Sequence, residues 1–372
     1  MPTPDLQSPS LNPQSLPRWL KRNVPKGNAN HFTAKLIGQL GLQTVCDHAK
    51  CPNRMECYAQ KTATFLILGE TCTRGCRFCS VRKGKPQPPD PDEPRRVAEA
   101  ARELGLKHVV ITCVTRDDLP DGGAEHFVQT IKEIRRATGG TIGKKGTVPI
   151  CAKHPAGRSG KWGLSPFSPP TIEVLPSDFA GNAAAVDRLI EAAPEVYNHN
   201  TETVPRLYPV VRGRGPERGE GKKVSGTICA RSADPSGKRF LTPFFPLTPF
   251  FPDYTWTLEM FRRIRRGNPR IALKTGLMLV LGETTEELLD TLSDLLEAGC
   301  RLLTLGQYLQ PTPAQLPVVR YLPPKEFEHL GHVARRMGFE RVASGPFVRS
   351  SYHAREMCGP QPSFNLHPQI FD

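Results

Sequence analysis

The chain has 372 residues, enough for one large α/β domain with appendages, while 38 prolines, 32 glycines and 38% hydrophobic content leave part of it irregular. Its formal charge of +14, from 50 basic and 36 acidic residues, favours an acidic partner, whether nucleic acid or an acidic carrier protein. No apolar run approaches the length of a membrane span, and six of the eleven cysteines crowd between Cys46 and Cys79, a distribution unsuited to a disulfide scaffold.

Residues 1–17 hold Pro, Ser, Gln and Asn without an apolar core or an arginine, so they read as a disordered segment rather than a secretory or mitochondrial leader. The expected compartment is the reducing cytoplasm. An extension over 18–62 carries Cys46, Cys51 and Cys57. From residue 63 onward, strand and helix patterns alternate in six β/α units, which argues for parallel strands joined by helical crossovers. Strands are predicted at Ala63–Gly69, His108–Thr112, Thr171–Leu175, Glu195–His199, Ile271–Leu279 and Leu302–Leu305. The helix from about Pro94 to Leu104 puts Val97, Ala101 and Leu104 on one face and stops at Gly105. Thr284 and Glu287 form a capping box ahead of Leu288, Leu292 and Leu295, and Gly299 closes that helix. Two stretches rich in Gly, Pro and basic residues, 139–170 and 213–253, read as insertions, the second containing Leu-Thr-Pro-Phe-Phe-Pro twice in tandem at 241–252. Six units are fewer than a closed eight-fold barrel needs, so a partial barrel and a doubly wound sheet both remain open at this point.

The strongest chemical signal is Cys72-x3-Cys76-x2-Cys79, placed just after the first predicted strand. Three thiolates on one tight loop can hold three irons of a [4Fe–4S] cluster and leave the fourth open to a substrate or cofactor. Structural zinc closes with four ligands, often from two separated C-x2-C knuckles, which this spacing does not match. The loop resembles the signature of radical S-adenosylmethionine (SAM) enzymes, and Phe78 stands where that superfamily places an aromatic near the adenine. A second triplet, Cys46-x4-Cys51-x5-Cys57, implies a second cluster.

That second spacing, followed by the radical SAM loop and by Arg349-Ser350-Ser351-Tyr352, resembles the lipoyl synthase family. The resemblance covers about 18–137, 171–212 and 254–354, and it implies a partial (β/α)6 radical SAM barrel over 63–345 with a C-terminal tail over 346–372. It implies two [4Fe–4S] clusters: a catalytic one on Cys72, Cys76 and Cys79, and a sacrificial auxiliary one on Cys46, Cys51, Cys57 and a serine. The serine is assigned to Ser350, with Ser351 the alternative. The implied reaction puts two sulfur atoms on carbons 6 and 8 of an octanoyl chain attached to a lysine, consuming SAM. Asn198, Asn200 and Glu202, in the Asn-His-Asn-x-Glu stretch, are the implied SAM contacts. The implied partners are octanoylated lipoyl-carrier domains of 2-oxoacid dehydrogenases or the glycine cleavage H protein, a low-potential electron donor of ferredoxin or flavodoxin type, and an iron–sulfur cluster carrier.

Cys113 and Thr115 depart from the family's more usual Ser and Asp, and Thr201 from its Leu; Cys113 reads as a small buried residue at a strand end. His48 and His353 could each complete a zinc site but read better as hydrogen-bonding groups. Asp117, Asp118 and Asp121 suit either helix capping or function. The rivals are a radical SAM sulfur-inserting enzyme with another substrate and, from another class, a metal-stabilised nucleic-acid-binding protein. The second is supported by charge, but the chain shows no RNA- or DNA-binding fingerprint.

Overall fold

The computed structural model describes residues 16–21, 30–139, 169–213 and 254–357. The tandem hexapeptide and nearly all of both insertions lie outside the described residues.

Short elements come first: α1 (His31–Gln39), β1 (Gln43–Thr44), α2 (Val45–His48) and α3 (Arg54–Ala59). Then β2 (Thr64–Ile67) leads into a ribbon of β3 (Thr71–Cys72) and β4 (Arg82–Lys83), followed by α4 (Glu93–Glu103), β5 (His108–Cys113) and α5 (Ala124–Ala137). The alternation continues with β6 (Thr171–Leu175), α6 (Ala183–Ala192), β7 (Val196–Asn198) and the single turn α7 (Tyr208–Val211). It ends with α8 (Tyr254–Gly267), β8 (Ala272–Leu279), α9 (Thr285–Glu297), β9 (Leu302–Gln307), α10 (Pro324–Met337) and β10 (Arg341–Gly345).

The main sheet runs β1-β2-β5-β6-β7-β8-β9-β10. From β2 to β10 every pairing is parallel and every neighbour is the next strand of that sheet in the chain; only β1 is antiparallel. A doubly wound sheet reverses its strand order at a switch point, and this one does not. It is therefore an open, partial barrel, with β1 and β10 as its edges. The six predicted strands all form. The two edge strands are additions, because β1 has only two residues and Arg-Val-Ala-Ser-Gly in β10 offers a single fully buried side chain, Val342.

Apolar runs explain the interior. Phe65, Ile67, Val109, Ile111, Ile172, Val174 and Leu303 are essentially inaccessible and join one core with Val97, Ala101, Ile131, Ile134 and Phe261 from the surrounding helices. The capping box at Thr284 and Glu287 forms as predicted. Inside the barrel sits a charge network that no hydrophobic pattern announces. The Glu173 carboxylate accepts from Lys274 Nζ at 2.9 and 3.1 Å, from Asn198 Nδ2 at 2.8 Å, and pairs with His108 Nε2 at 3.2 Å. Burial alone would raise the Glu173 carboxyl, but Lys274 and these hydrogen bonds outweigh it and hold the group down at about 2.

Candidate active site

The site opens at the C-terminal ends of the strands, where parallel barrels gather their loops. The first cysteine loop leaves β2 and is fixed from several sides. Arg74 grips Asp117 through two contacts of 2.6 and 2.7 Å and Asp178 through one of 2.6 Å, tying the loop to the segments after β5 and β6. The Arg77 amide donates to Val211 O (2.9 Å) in α7, and Leu316 N donates to Arg77 O (3.0 Å). Two backbone amides, of Arg74 and Thr115, point at Cys72 Sγ from 3.4 Å each, the polarity that a thiolate ligand needs. The three aspartates divide their work: Asp117 holds Arg74, Asp118 holds Arg116, and Asp121 caps α5 through the amides of Gly123 and Glu125.

The second triplet is built on α2 and α3. Tyr58 Oη donates to Asp47 Oδ2 (2.7 Å) and lies 2.8 Å from Thr44 Oγ1, so Cys46 on α2 and Cys57 on α3 are held in one frame. The tail then comes to this frame. Asn53, 1% exposed, donates to Phe347 O (2.7 Å), and Tyr352 Oη donates to Glu56 Oε1 (2.9 Å). Two barrel glycines make room for it: a Cβ at Gly306 would sit 2.2 Å from Val348 O, and one at Gly276 would lie 2.9 Å from Asn200 Oδ1 and 3.5 Å from Ser350 Cβ.

All six cysteines, with Ser350 and Ser351, line a single cavity of about 480 Å³. Burial pushes the Cys46 thiol up to about 11 and the Cys79 thiol up to about 12, and it raises Cys76 as well. Burial thus favours the protonated form of these three thiols, and binding iron would displace their protons. Phe78 lines the same cavity and packs on Val204, Leu207, Val211, Tyr308 and Leu316.

Of the three SAM contacts implied by sequence, Asn200 and Glu202 line the cavity, whereas Asn198 does not. Asn198 is completely buried and spends its amide on Glu173, so its place is in the barrel's internal network. Asn200 Nδ2 donates to Ser350 Oγ at 3.3 Å, joining the loop after β7 to the tail. Glu202 holds a left-handed backbone (φ 71°), which a non-glycine residue adopts at a cost, and burial raises its carboxyl above the ordinary range. Cys113 does lie at a strand end, though on the cavity wall, its thiol pushed up to about 12 by burial. His48 and His353 make hydrogen-bonding contacts, to Gln43 (2.8 Å) and Glu356 (2.6 Å).

Sequence reasoning missed two residues. Arg212, just ahead of the basic insertion, lines the cavity; it donates to Asn200 O (2.7 Å) and stacks 5.7 Å from the Tyr208 ring. His199, 2% exposed, is held neutral with a pKa of about 4, by burial and by the Arg212 charge. The signal for His199 was its place inside the Asn-His-Asn-x-Glu stretch, and for Arg212 its position downstream of that stretch, ahead of the insertion.

Residues 66–220 match the family model of the radical SAM superfamily. The lipoyl synthase of Rhodopirellula baltica is 50% identical over 92% of this chain and 88% of its own length. Those of Caldanaerobacter subterraneus subsp. tengcongensis and Desulfotalea psychrophila are 40% and 42% identical, over 91% and 92% of this chain and 95% and 92% of their own lengths. The chain belongs to the lipoyl synthase family.

Membership in the lipoyl synthase family implies SAM and iron–sulfur chemistry, and the site residues fit both. Among the described residues no three His, Cys, Asp or Glu side chains gather as around a single metal ion. A cubane spreads its ligands around a cage, so three free thiols on a shared cavity wall are the relevant geometry. On the same wall three buried polar atoms lack partners, His199 Nε2, Asn200 Oδ1 and Arg212 Nε. Buried polar atoms are rarely left so, and a zwitterionic, hydroxyl-bearing cofactor would satisfy them.

Proposed function

We propose that this chain inserts two sulfur atoms at carbons 6 and 8 of an octanoyl chain attached to a lysine of a lipoyl-carrier domain. The observation that carries this reading is the single cavity shared by two cysteine triplets and Ser350. When bound, the clusters and SAM supply the hydrogen-abstracting radical and the sulfur. The residues of the chain hold, orient and exclude.

Cys72, Cys76 and Cys79 hold one cluster and leave an iron open, while Cys46, Cys51, Cys57 and Ser350 hold the auxiliary one. The Asn200 contact to Ser350 Oγ favours Ser350 over Ser351 as the ligand. A hard oxygen ligand suits iron less than thiolate does, which fits a cluster meant to be dismantled. Phe78, Asn200 and Glu202 bind SAM, with Glu202 suited to ribose hydroxyls. Arg212 and His199 offer the zwitterion a fixed cation and a neutral acceptor. Within the extension 18–62 and the tail 346–372, the described residues 30–62 and 346–357 supply the auxiliary half of the site, and the described residues of 63–345 the barrel half. A low-potential electron donor and a cluster carrier complete the set of partners. The eight described cysteines are all free thiols, in keeping with a reducing cytoplasm. Among the described residues no helix is long and apolar enough to cross a membrane.

The test is the mass spectrum of an octanoyl-lysyl carrier peptide after anaerobic incubation with reconstituted protein, SAM and a strong reductant. The expected result is the dithiolane mass shift, lost in Cys57→Ala. Cleavage of SAM to 5′-deoxyadenosine with an unmodified peptide would instead point to a radical SAM sulfur inserter with another substrate.

A further inference from the structure

The ribbon places Lys83 opposite Cys72 in register, and the lysine reaches back along the first cysteine loop: a Cβ added to Gly75 would lie 3.8 Å from Lys83 Nζ. Gly75, Arg77, Arg82, Lys83 and Lys85 are all exposed, and none of them lines the 480 Å³ cavity. They form the outer side of the loop, behind its ligands. Nearby carboxylates are already engaged, Glu70 by Arg82 (2.9 Å), Asp90 by Arg96 (2.8 Å) and Asp117 by Arg74 (2.6 Å). Among the described residues Arg77, Lys83 and Lys85 have no ion-pair partner. A groove of about 450 Å³ runs beside the strip, bordered by Gln43, Glu70, Arg82, Lys83 and Lys85.

We infer that this outer rim of the cysteine loop is the docking surface for an acidic electron-transfer protein, an inference that rests on the cluster assignment above. Unpaired exposed cations steer an acidic partner over roughly a Debye length and set its orientation more than its final affinity. Gly75, between Cys72 and Cys76, is exposed and contributes no side chain, so a donor docked here meets the backbone of the cysteine loop directly. The partner's reduced cofactor gives up one electron and the cluster on Cys72, Cys76 and Cys79 takes it. An octanoyl-lysine has to reach the cavity, which no residue of the strip lines, so the strip fits an electron donor better than a carrier domain.

The test uses the reconstituted full chain, the Lys83→Glu/Lys85→Glu double variant and its Lys83→Arg/Lys85→Arg counterpart. Reduced flavodoxin serves as the acidic probe and dithionite as the small reductant. With dithionite, 5′-deoxyadenosine formation stays within about twofold of the unmodified protein, because a small donor needs no docking site. With flavodoxin, the Glu variant raises KM by about tenfold, and calorimetric Kd for flavodoxin weakens in parallel; the Arg variant restores both. Added salt weakens flavodoxin binding to the unmodified protein and much less to the Glu variant. Unchanged KM and Kd for flavodoxin would overturn the inference. So would a raised KM for an octanoylated carrier domain under dithionite, which would give the strip to the carrier. No deoxyadenosine from the unmodified protein with dithionite would remove the cluster reading itself, and this inference with it.

Discussion

The barrel and the clasp formed by the extension and tail are stabilised in different ways. Between β2 and β9 the chain buries continuous apolar strands against amphipathic helices, and the charge network around Glu173 is enclosed within them. The clasp between α2, α3 and 346–357 is tied by hydrogen bonds that include Asn53 to Phe347 O and Tyr352 to Glu56, and its far end is anchored where Met357 packs on Val196 and Leu302. The contrast bears on function: an apolar frame holds the residues proposed for SAM, while a segment tied largely through polar contacts carries Ser350, the proposed ligand of the auxiliary cluster. Breaking the barrel should therefore unfold the protein, and breaking the clasp should uncouple two activities within a folded one.

The largest effect is expected from Glu173→Ala, which strands the Lys274 ammonium where neither side chain has measurable exposure. Loss of one partner of a buried pair costs about 3–5 kcal/mol, read as a fall in denaturant midpoint. Replacing both, Glu173→Met with Lys274→Leu, should cost less, because no uncompensated charge remains. An equal loss in both variants would show that the network contributes by shape rather than charge.

Acid should weaken the barrel next. His199 titrates near 6.5 when unfolded but near 4 in the fold, so between those values the unfolded chain binds more protons and stability falls as pH falls. The full window is worth about 3 kcal/mol. Glu173, held down at about 2, contributes stability above the ordinary glutamate range and loses it only below pH 4.5, so it does not account for the His199 window. Chemical denaturation of the unloaded protein from pH 7 to 4 should show this slope, and His199→Asn should flatten it.

Gly306→Ala probes the seam between the two regions, since its Cβ would meet Val348 O at 2.2 Å. The tail must shift while β9 stays paired with β8 and β10. Dithiolane formation should fall by at least about tenfold, some 1.4 kcal/mol, with 5′-deoxyadenosine formation nearly kept. Parallel loss of both products would mean that the tail also shapes the SAM half.

The same division decides what could be read from sequence. The barrel strands were legible because burial on both faces demands apolar, β-branched runs such as Phe65–Leu68 and His108–Ile111. The ligands were legible because their spacing is chemical. The edge strand β10 and the clasp were not, since a hydrogen bond from Tyr352 to Glu56 spans 296 residues and leaves no periodicity. Asn198 and Asn200 look alike in sequence, and two residues apart they would share one face of a strand, but β7 ends at Asn198, which stays on Glu173 inside the barrel, while Asn200 lies beyond the strand and reaches Ser350. Arg212 was hidden by its basic neighbours; only the turn of α7 shows that it faces Asn200 rather than solvent.

The smallest change sharpens the comparison most. Tyr352→Phe removes one hydroxyl and its bond to Glu56, worth about 1 kcal/mol and confined to the clasp. The barrel's denaturant midpoint should not move, because no strand of the main sheet touches that bond. Hydrogen exchange over 346–357 should rise by a few-fold, since local opening free energy falls by about the same 1 kcal/mol. If the auxiliary cluster relies on the clasp to bring Ser350 into place, its unique iron should become heterogeneous in the Mössbauer spectrum, while the cluster on Cys72, Cys76 and Cys79 keeps its signature. Glu56→Gln, which still accepts a hydrogen bond from Tyr352, should leave that spectrum close to the unmodified one. A clean auxiliary signal in Tyr352→Phe would shift the positioning of the serine to the other two tethers, Asn53 on Phe347 O and Asn200 on Ser350 Oγ, and so to the barrel side of the seam.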